Sequence, residues 1–281
     1  MQSSSYTPAD DLRDIIARHY VFDVPLPDDY ELIDRLLAET AMIRILLKGE
    51  WTAELVPGEW SNVGPMVFFG PNSRPLRVRC VGSFHVVGFA LRPGGWRTLF
   101  EEPADQFTDR MLALGDLWGA RSDRLYQDVV AAGKDEKRIM AAIEAAVLEL
   151  AATRGAVAPD PAMLAFERIA RDDSTMRIAD AAAAVGLSSK QLERTCIASF
   201  GMSPKRVLRR SRFLDMATVM RGLSKPDEAE LAALRYSDQS HLNREFREFI
   251  ALTPGQFAKT PTPLLTAGLE LRNRRKFTDD F

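Results

Sequence analysis

Two sets of polar side chains recur in the last third of the chain, about fifty residues apart. The first set is Ser189, Lys190 and Arg194, and the second is Gln239, Ser240, His241, Asn243 and Arg244. An arginine can pair bidentately with guanine, and Gln or Asn with adenine, and each pair discriminates between bases by about 1–3 kcal/mol. The two sets therefore predict contacts with base edges or phosphates of double-stranded DNA.

The first set requires a helix that presents it, and residues 178–203 predict one. Ala181 and Val185 have helical spacing, Gly186 can adopt the left-handed conformation that ends a helix, and Ser188 or Ser189 can cap the next helix. The buried face of that second helix is predicted to carry Leu192, Cys196 and Phe200. This form is a helix-turn-helix, whose second helix can lie in a DNA major groove.

Residues 231–254 repeat the pattern. Its buried side is predicted to contain Leu231, Leu234, Tyr236, Leu242, Phe246 and Phe249. Both copies close on a Ser/Thr-Pro pair, Ser203-Pro204 and Thr253-Pro254. Two copies predict one chain that reads two adjacent segments of groove.

A basic cluster follows the first copy. It consists of Lys205, Arg206, Arg209, Arg210 and Arg212. Residues 172–260 hold 14 Lys/Arg and 11 Asp/Glu, whereas residues 1–171 hold 19 and 25, so positive charge collects in this part of the chain. The cluster is predicted to contact phosphates. The alternative is internal pairing of Arg212 or Arg209 with Asp215 or Glu193.

The first two thirds of the chain have a different composition. Short runs rich in Val, Ile, Phe and Trp within residues 19–98, separated by Pro/Gly/Asn turns, predict a barrel or sandwich with at least one antiparallel sheet. Helical periodicity follows over about 112–150, and 151–161 is a predicted linker in which Asp160 and Pro161 could begin the next helix. Residues 261–281 are predicted to be a poorly ordered tail.

Residues 165–260 resemble the C-terminal domain of AraC-family transcriptional regulators. The resemblance is carried by IADAAAAVGLS, by Arg194 with the Phe200-Gly201-x-Ser-Pro turn, by Arg212 and Ala217, and by YSDQSHLNREFREF with its closing TP. It implies two helix-turn-helix units joined by a long helix, with recognition helices about one DNA turn apart. The chain departs from the pattern at Arg235-Tyr236 (usually Gly-Phe), at Ala251 (usually Gly) and at Cys196 (usually aromatic).

The N-terminal half resembles the cupin-like sensor domains of such regulators, through HYVF (19–22), GPNSRP (70–75) and VVGFALRPGGW (86–96). The expected fold is α+β with two domains: a β-rich sensor or dimerisation domain (1–155, ending in helices over about 112–155) and an all-α DNA-binding domain (156–260). The expected partners are DNA, a small effector, a second copy in a homodimer, and RNA polymerase if the protein is an activator. One alternative is an N-terminal domain that only binds proteins, and another is a cupin-type enzyme fused to a DNA-binding domain.

Several kinds of chemistry are not expected. Metal-binding cupins need several histidines, and this chain has three in all, so we expect no metal site, no cofactor and no catalytic residues. Cys80 and Cys196 lie in different predicted domains and indicate a reducing, cytoplasmic location without a disulfide framework. No apolar run is long enough for a membrane span, and the N-terminus lacks the pattern of a secretory signal. Three arginines, Arg74, Arg77 and Arg79, lie along a predicted strand and either bind an anion or face solvent.

Overall fold

The N-terminal part of the computed structural model is a single eight-stranded sheet, and the structure as a whole describes residues 2–225, 234 and 238–278. The strands are β1 (Gln2–Tyr6), β2 (Ile16–Val24), β3 (Glu31–Leu36), β4 (Met42–Val56), β5 (Glu59–Ser61), β6 (Met66–Phe69), β7 (Leu76–Leu91) and β8 (Met111–Ala113). Their order is β1-β2-β7-β4-β6-β8, with β3 beside β7 and β5 beside β4. All these pairs are antiparallel, so the expected antiparallel β-rich domain is confirmed.

The long strands β4 and β7 bend together, which folds the sheet over on itself. Their register shifts between Leu46 and Glu50. Gly49 has a φ of 93° there, and a Cβ on it would lie 2.6 Å from the Ser83 carbonyl oxygen. The bend therefore requires glycine. It brings Trp51 from one half of the sheet edge-on to Phe84 of the other, with ring centroids 5.5 Å apart.

Side-chain alternation gives this sheet two different faces. The outer face, with residues such as Ile43, Ile45 and Phe89, packs on a helical layer around Ile143 and Val147. That layer contains α1 (Trp96–Leu99), α2 (Leu114–Trp118), α3 (Ala120–Ala132) and α4 (Glu136–Thr153). These helices confirm the predicted change to helical structure after residue 112. The inner face of the sheet encloses a separate interior and a cavity.

The remaining described residues are helical. The helices are α5 (Pro161–Asp172), α6 (Ile178–Ala184), α7 (Ser189–Phe200), α8 (Pro204–Met220), α9 (Gln239–Ile250), α10 (Pro254–Lys259) and α11 (Pro263–Thr278). Asp160 caps α5, with Pro161 in its first turn, in agreement with the predicted helix start at this point. Helix α8 joins two apolar clusters: Val207 and Leu208 pack with α7, whereas Phe213 and Ala217 pack with α9.

The prediction of a poorly ordered tail over 261–281 is wrong for residues 263–278, which form α11. Leu264 packs into the sheet interior, and Leu265 and Leu269 pack on the α8–α9 cluster. The Asp34 carboxylate accepts hydrogen bonds from the amides of Leu264 (2.6 Å) and Leu265 (3.3 Å). This cap at the first turn and the two apolar contacts explain why the segment is ordered.

Helix α9 ends at Ala251, which replaces the glycine usual at this point and has a φ of 54°. A left-handed residue with a Cβ costs about 1–2 kcal/mol. Ala251→Gly should therefore raise the free energy of unfolding by about 1 kcal/mol, measured as a higher urea midpoint with an unchanged m-value. As the control, Ala183→Gly on the exposed side of α6 should lower it by about 1 kcal/mol. A lower midpoint for Ala251→Gly would contradict this assignment of strain.

Candidate nucleic-acid interface and internal cavity

Helix α7 is the second helix of the first helix-turn-helix. Gly186 turns the chain with a φ of 72°, and Ser188 caps α7 in a capping box with Gln191. Leu192 and Cys196 are fully buried, so this face fixes the helix on its domain. The predicted contact residues Ser189, Lys190 and Arg194 are exposed on the opposite side.

Helix α9 occupies the equivalent place in the second copy. Asp238 caps it by accepting a hydrogen bond of 2.7 Å from the His241 amide, and Phe246 and Phe249 are fully buried. Gln239, Ser240 and Arg244 are exposed, whereas His241 and Asn243 are half-buried. Arg247, which was not among the predicted contact residues, is also exposed and lies three residues beyond Arg244. The predicted features Leu231, Arg235 and Tyr236 lie outside the described residues.

The basic cluster does not form one phosphate-facing surface. Lys205 is exposed, but Arg209 lies between two carboxylates, with its Nε 3.0 Å from Glu245 and its Nη2 2.6 Å from Glu248. Arg206 pairs with Glu248 at 2.8 Å and donates to the Ser73 carbonyl. Arg209 is thus paired internally, but with Glu245 and Glu248 of α9 and not with the expected Asp215 or Glu193.

Arg210 contradicts the prediction of a phosphate contact, because only 1% of its surface is exposed. Its Nη1 donates to the carbonyl oxygens of Asn72 (2.7 Å) and Ala38 (3.3 Å), and its Nη2 donates to the Glu39 carbonyl. These carbonyls belong to two loops of the sheet domain that Asn72 also joins, since its Oδ1 accepts a hydrogen bond from the Ala38 amide. Arg210 therefore fixes α8 to the sheet domain.

A second arginine, Arg272 of α11, also links α8 to the loop that contains Glu39. Arg272 pairs with the Glu39 carboxylate and, at 2.9 Å, with Asp215 of α8. Burial opposes the charge of Arg272, but the two carboxylates outweigh this effect and raise its pKa. Ser174 donates a further hydrogen bond of 2.8 Å to Asp215. Thus α8, α11 and the 36–41 segment form one polar junction.

A cavity of about 130 Å³ lies beside this junction, between the inner face of the sheet and α11. Its wall includes the aromatic side chains Tyr20, Phe22, Trp51, Phe69 and Phe84, together with Leu264 and Leu265 of α11. Tyr20 is positioned by a 2.8 Å hydrogen bond to the Ile43 carbonyl. A Cβ at Gly88 would lie 2.6 Å from the Tyr20 hydroxyl, so this placement requires glycine.

One charged side chain, Arg44, faces this apolar space. It is 3% exposed, and its guanidinium carbon lies 4.7 Å from the ring centre of Trp51 and 5.4 Å from that of Phe69. Its Nε and Nη1 are buried without a hydrogen-bond partner among the described residues. Burial lowers the pKa of Arg44 to about 10. Arg44 was not among the residues predicted from the sequence, although it is a lone charge inside the apolar run MIRILL (42–47), which is a usable signal.

The other sequence candidates have ordinary structural roles. Arg77 pairs with Glu54 at 2.6 Å and Arg79 with Glu31 at 2.5 Å, while Arg74 is largely exposed, with its Nε 3.7 Å from Asp109. The two cysteines are buried and unpaired, and burial raises the pKa of both thiols, that of Cys80 to about 12. Within the described ranges, no three His, Cys, Asp or Glu side chains come together as a metal site. None of the described helices is both long and apolar enough to cross a bilayer.

Comparison with known proteins places both parts of the chain. Residues 181–260 match the family model described as a helix-turn-helix domain, and residues 4–113 match one described as a domain of unknown function (DUF6597). No curated protein matches the chain. The helix-turn-helix match and the exposed α7 and α9 define a DNA-binding transcription regulator. The matched helix-turn-helix domain lies within residues 165–260, the part of the sequence that resembles AraC-family regulators.

The chain is similar to the following three solved structures, among others. An apo variant of ToxT from Vibrio cholerae is 11% identical, with a TM-score of 0.47, over 86% of this chain and 97% of ToxT. ToxT from the same organism bound to an unsaturated fatty acid is 12% identical, with a TM-score of 0.45, over 85% and 94%. The AraC-like transcriptional activator CuxR is 17% identical, with a TM-score of 0.24, over 76% and 86%.

Proposed function

We propose that α7 and α9 read two adjacent segments of major groove, and that a small molecule in the internal cavity controls this binding. The observation that carries the first part is the shared form of the two helices. Each has a buried apolar face and an exposed face with the side chains that hydrogen-bond to bases, Lys190 and Arg194 on α7 and Gln239, Ser240 and Arg244 on α9. Asn243 and His241 lie at the margin of the α9 face.

The observation that supports control by a small molecule is the position of the cavity. Its wall includes residues 36–40, Leu214 of α8 and Arg272 of α11. The same loop supplies two of the three carbonyls that Arg210 binds, those of Ala38 and Glu39. A ligand that moves this loop would therefore act on α8, the helix that joins the two DNA-reading units. An interaction module without a ligand would not need a cavity at this junction.

Arg194→Ala tests the first recognition helix. If Arg194 contacts a base, the substitution should weaken binding to the selected site by about 1–3 kcal/mol, that is by roughly 5–150-fold. Binding to random DNA should fall much less, because base contacts carry the sequence information. Both affinities are measured by fluorescence anisotropy at one salt concentration.

Arg177→Ala is the matched control, because Arg177 is an exposed arginine of the same domain that lies before α6. Its loss should change binding to the selected site and to random DNA by the same small factor. Equal losses on both DNAs for Arg194→Ala would make Arg194 a phosphate contact and contradict its proposed role.

A further inference from the structure

We propose, resting on the proposed control by a small molecule, that the cavity binds a compact monocarboxylate with an apolar body of about one ring. In this proposal the Arg44 guanidinium binds the carboxylate and the aromatic wall holds the ring.

The charge of the ligand follows from Arg44. A buried ion is unfavourable unless it is paired and hydrogen-bonded. The rings of Trp51 and Phe69 stabilise the cation through their faces, but they do not accept the hydrogen bonds of Nε and Nη1. A carboxylate matches the planar guanidinium fork and can accept two parallel hydrogen bonds from it.

The other charged side chains of the cavity wall also favour an anionic ligand. Arg18, Arg44 and Arg272 line the cavity together with one carboxylate, Glu39. Glu39 is paired with Arg272, which in turn binds Asp215. The wall therefore carries an excess of positive charge, and Arg44 is the member that forms no ion pair or hydrogen bond with a described residue.

The size of the ligand follows from the cavity. A volume of about 130 Å³ is close to that of the apolar cavity, roughly 150 Å³, that accepts benzene in a well-studied case. The wall consists mainly of rings and aliphatic side chains, which suit a flat apolar body. Leu264 and Leu265 of α11 form part of the wall, so a long acyl chain would have to displace α11 or extend out of the cavity.

The strands explain why Arg44 points inward. Arg44 is opposite Gly88 on β7 and Val67 on β6, and its neighbours Ile43 and Ile45 face the helical layer. Side-chain alternation therefore places Arg44 on the cavity side. Tyr20 on β2 is also opposite Gly88, and the missing side chain leaves room for the Tyr20 ring beside Arg44.

The test is calorimetric titration of the full chain with benzoate, phenylacetate, octanoate and oleate, and with benzamide as an uncharged analogue. Benzoate or phenylacetate should bind, and Arg44→Met should weaken that binding at least 30-fold while leaving benzamide unaffected. Arg44→Lys should restore part of the affinity. The Arg44→Met protein should unfold at an equal or higher temperature than the original, because it no longer buries an unpaired charge.

Arg77→Met is the control, since Arg77 is paired with Glu54 away from the cavity wall, and it should leave the affinity for benzoate unchanged. The proposal is overturned if neither single-ring acid binds below about 1 mM, if Arg44→Met binds benzoate as tightly as the original protein, or if oleate binds far more tightly than both.

A second measurement separates the ligand class from the proposed control of DNA binding by a small molecule. DNA affinity is measured in the same samples with and without the bound acid. Binding that depends on Arg44 but leaves DNA affinity unchanged would retain the ligand class and contradict control by a small molecule. A failure of all acids to bind, with intact binding to DNA, would overturn the ligand class and leave the DNA-reading role standing.

Discussion

Arg210→Met is expected to lower the free energy of unfolding by about 3–5 kcal/mol, because the side chain is buried and joins two parts of the chain. Methionine fills a similar apolar volume but donates no hydrogen bond. The carbonyls of Ala38, Glu39 and Asn72 would then remain buried without the donor they now share. Chemical denaturation of the full chain, followed by circular dichroism, measures the change.

Lys205→Met is the matched control for Arg210. It also removes a positive charge from α8, but Lys205 is exposed, so its free energy of unfolding should change by less than about 0.5 kcal/mol. A loss of less than about 1 kcal/mol for Arg210→Met would contradict the role of Arg210 as the link between α8 and the sheet domain.

Arg272→Met is expected to lower the free energy of unfolding by about 3 kcal/mol and to release α11 from the cavity. Removing one member of a buried ion pair leaves its partners with an uncompensated charge. The partners would be Asp215, which is 7% exposed, and Glu39. Amide hydrogen exchange in residues 264–272 should accelerate at least tenfold, an order-of-magnitude estimate for a helix that loses its main polar contact.

Arg274→Met serves as the control on the same helix, because Arg274 is exposed. It should leave exchange in α11 almost unchanged. Equal exchange rates in the Arg272→Met protein and the original would contradict the interpretation that the junction holds α11 in place.

The two junction arginines also suggest how the cavity could communicate with DNA. Residues 36–40 line the cavity, and they provide two of the carbonyls for Arg210 and the carboxylate for Arg272. A ligand that favours one position of this segment would favour one position of α8. Helix α8 packs on both α7 and α9. We therefore expect a ligand to change the spacing between α7 and α9.

Local sequence patterns predicted the turn and helix α7 well. Gly186, Ser188 and the buried Leu192 and Cys196 lie where the pattern placed them, because turns, caps and helical periodicity are local properties. The length of strand β7, Leu76–Leu91, is less evident from local patterns, because Gly82, with a φ of 64°, accommodates a bend within one strand.

Long-range contacts explain what the sequence did not predict. The arginines before Phe213 could face DNA phosphates or protein carbonyls, and their sequence is the same in either case. For Arg210 the loops around Ala38 and Asn72 supply the carbonyls, and these loops are far away in the sequence. Similarly, the prolines, the glycine and the charges after residue 260 indicated a loose tail. The apolar spacing of Leu264, Leu265 and Leu269 became meaningful only with the sheet interior and the α8–α9 cluster beside it.

Selection of binding sites from random DNA by the full chain, with and without benzoate, tests whether α7 and α9 both read DNA. We expect a recovered site with two short specified elements whose centres lie one helical turn apart, about 10–10.5 base pairs. Arg194→Ala should relax one element, and Arg244→Ala should relax the other. A single specified element unaffected by one of these substitutions, or no enrichment in either condition, would contradict the claim that α7 and α9 both read DNA.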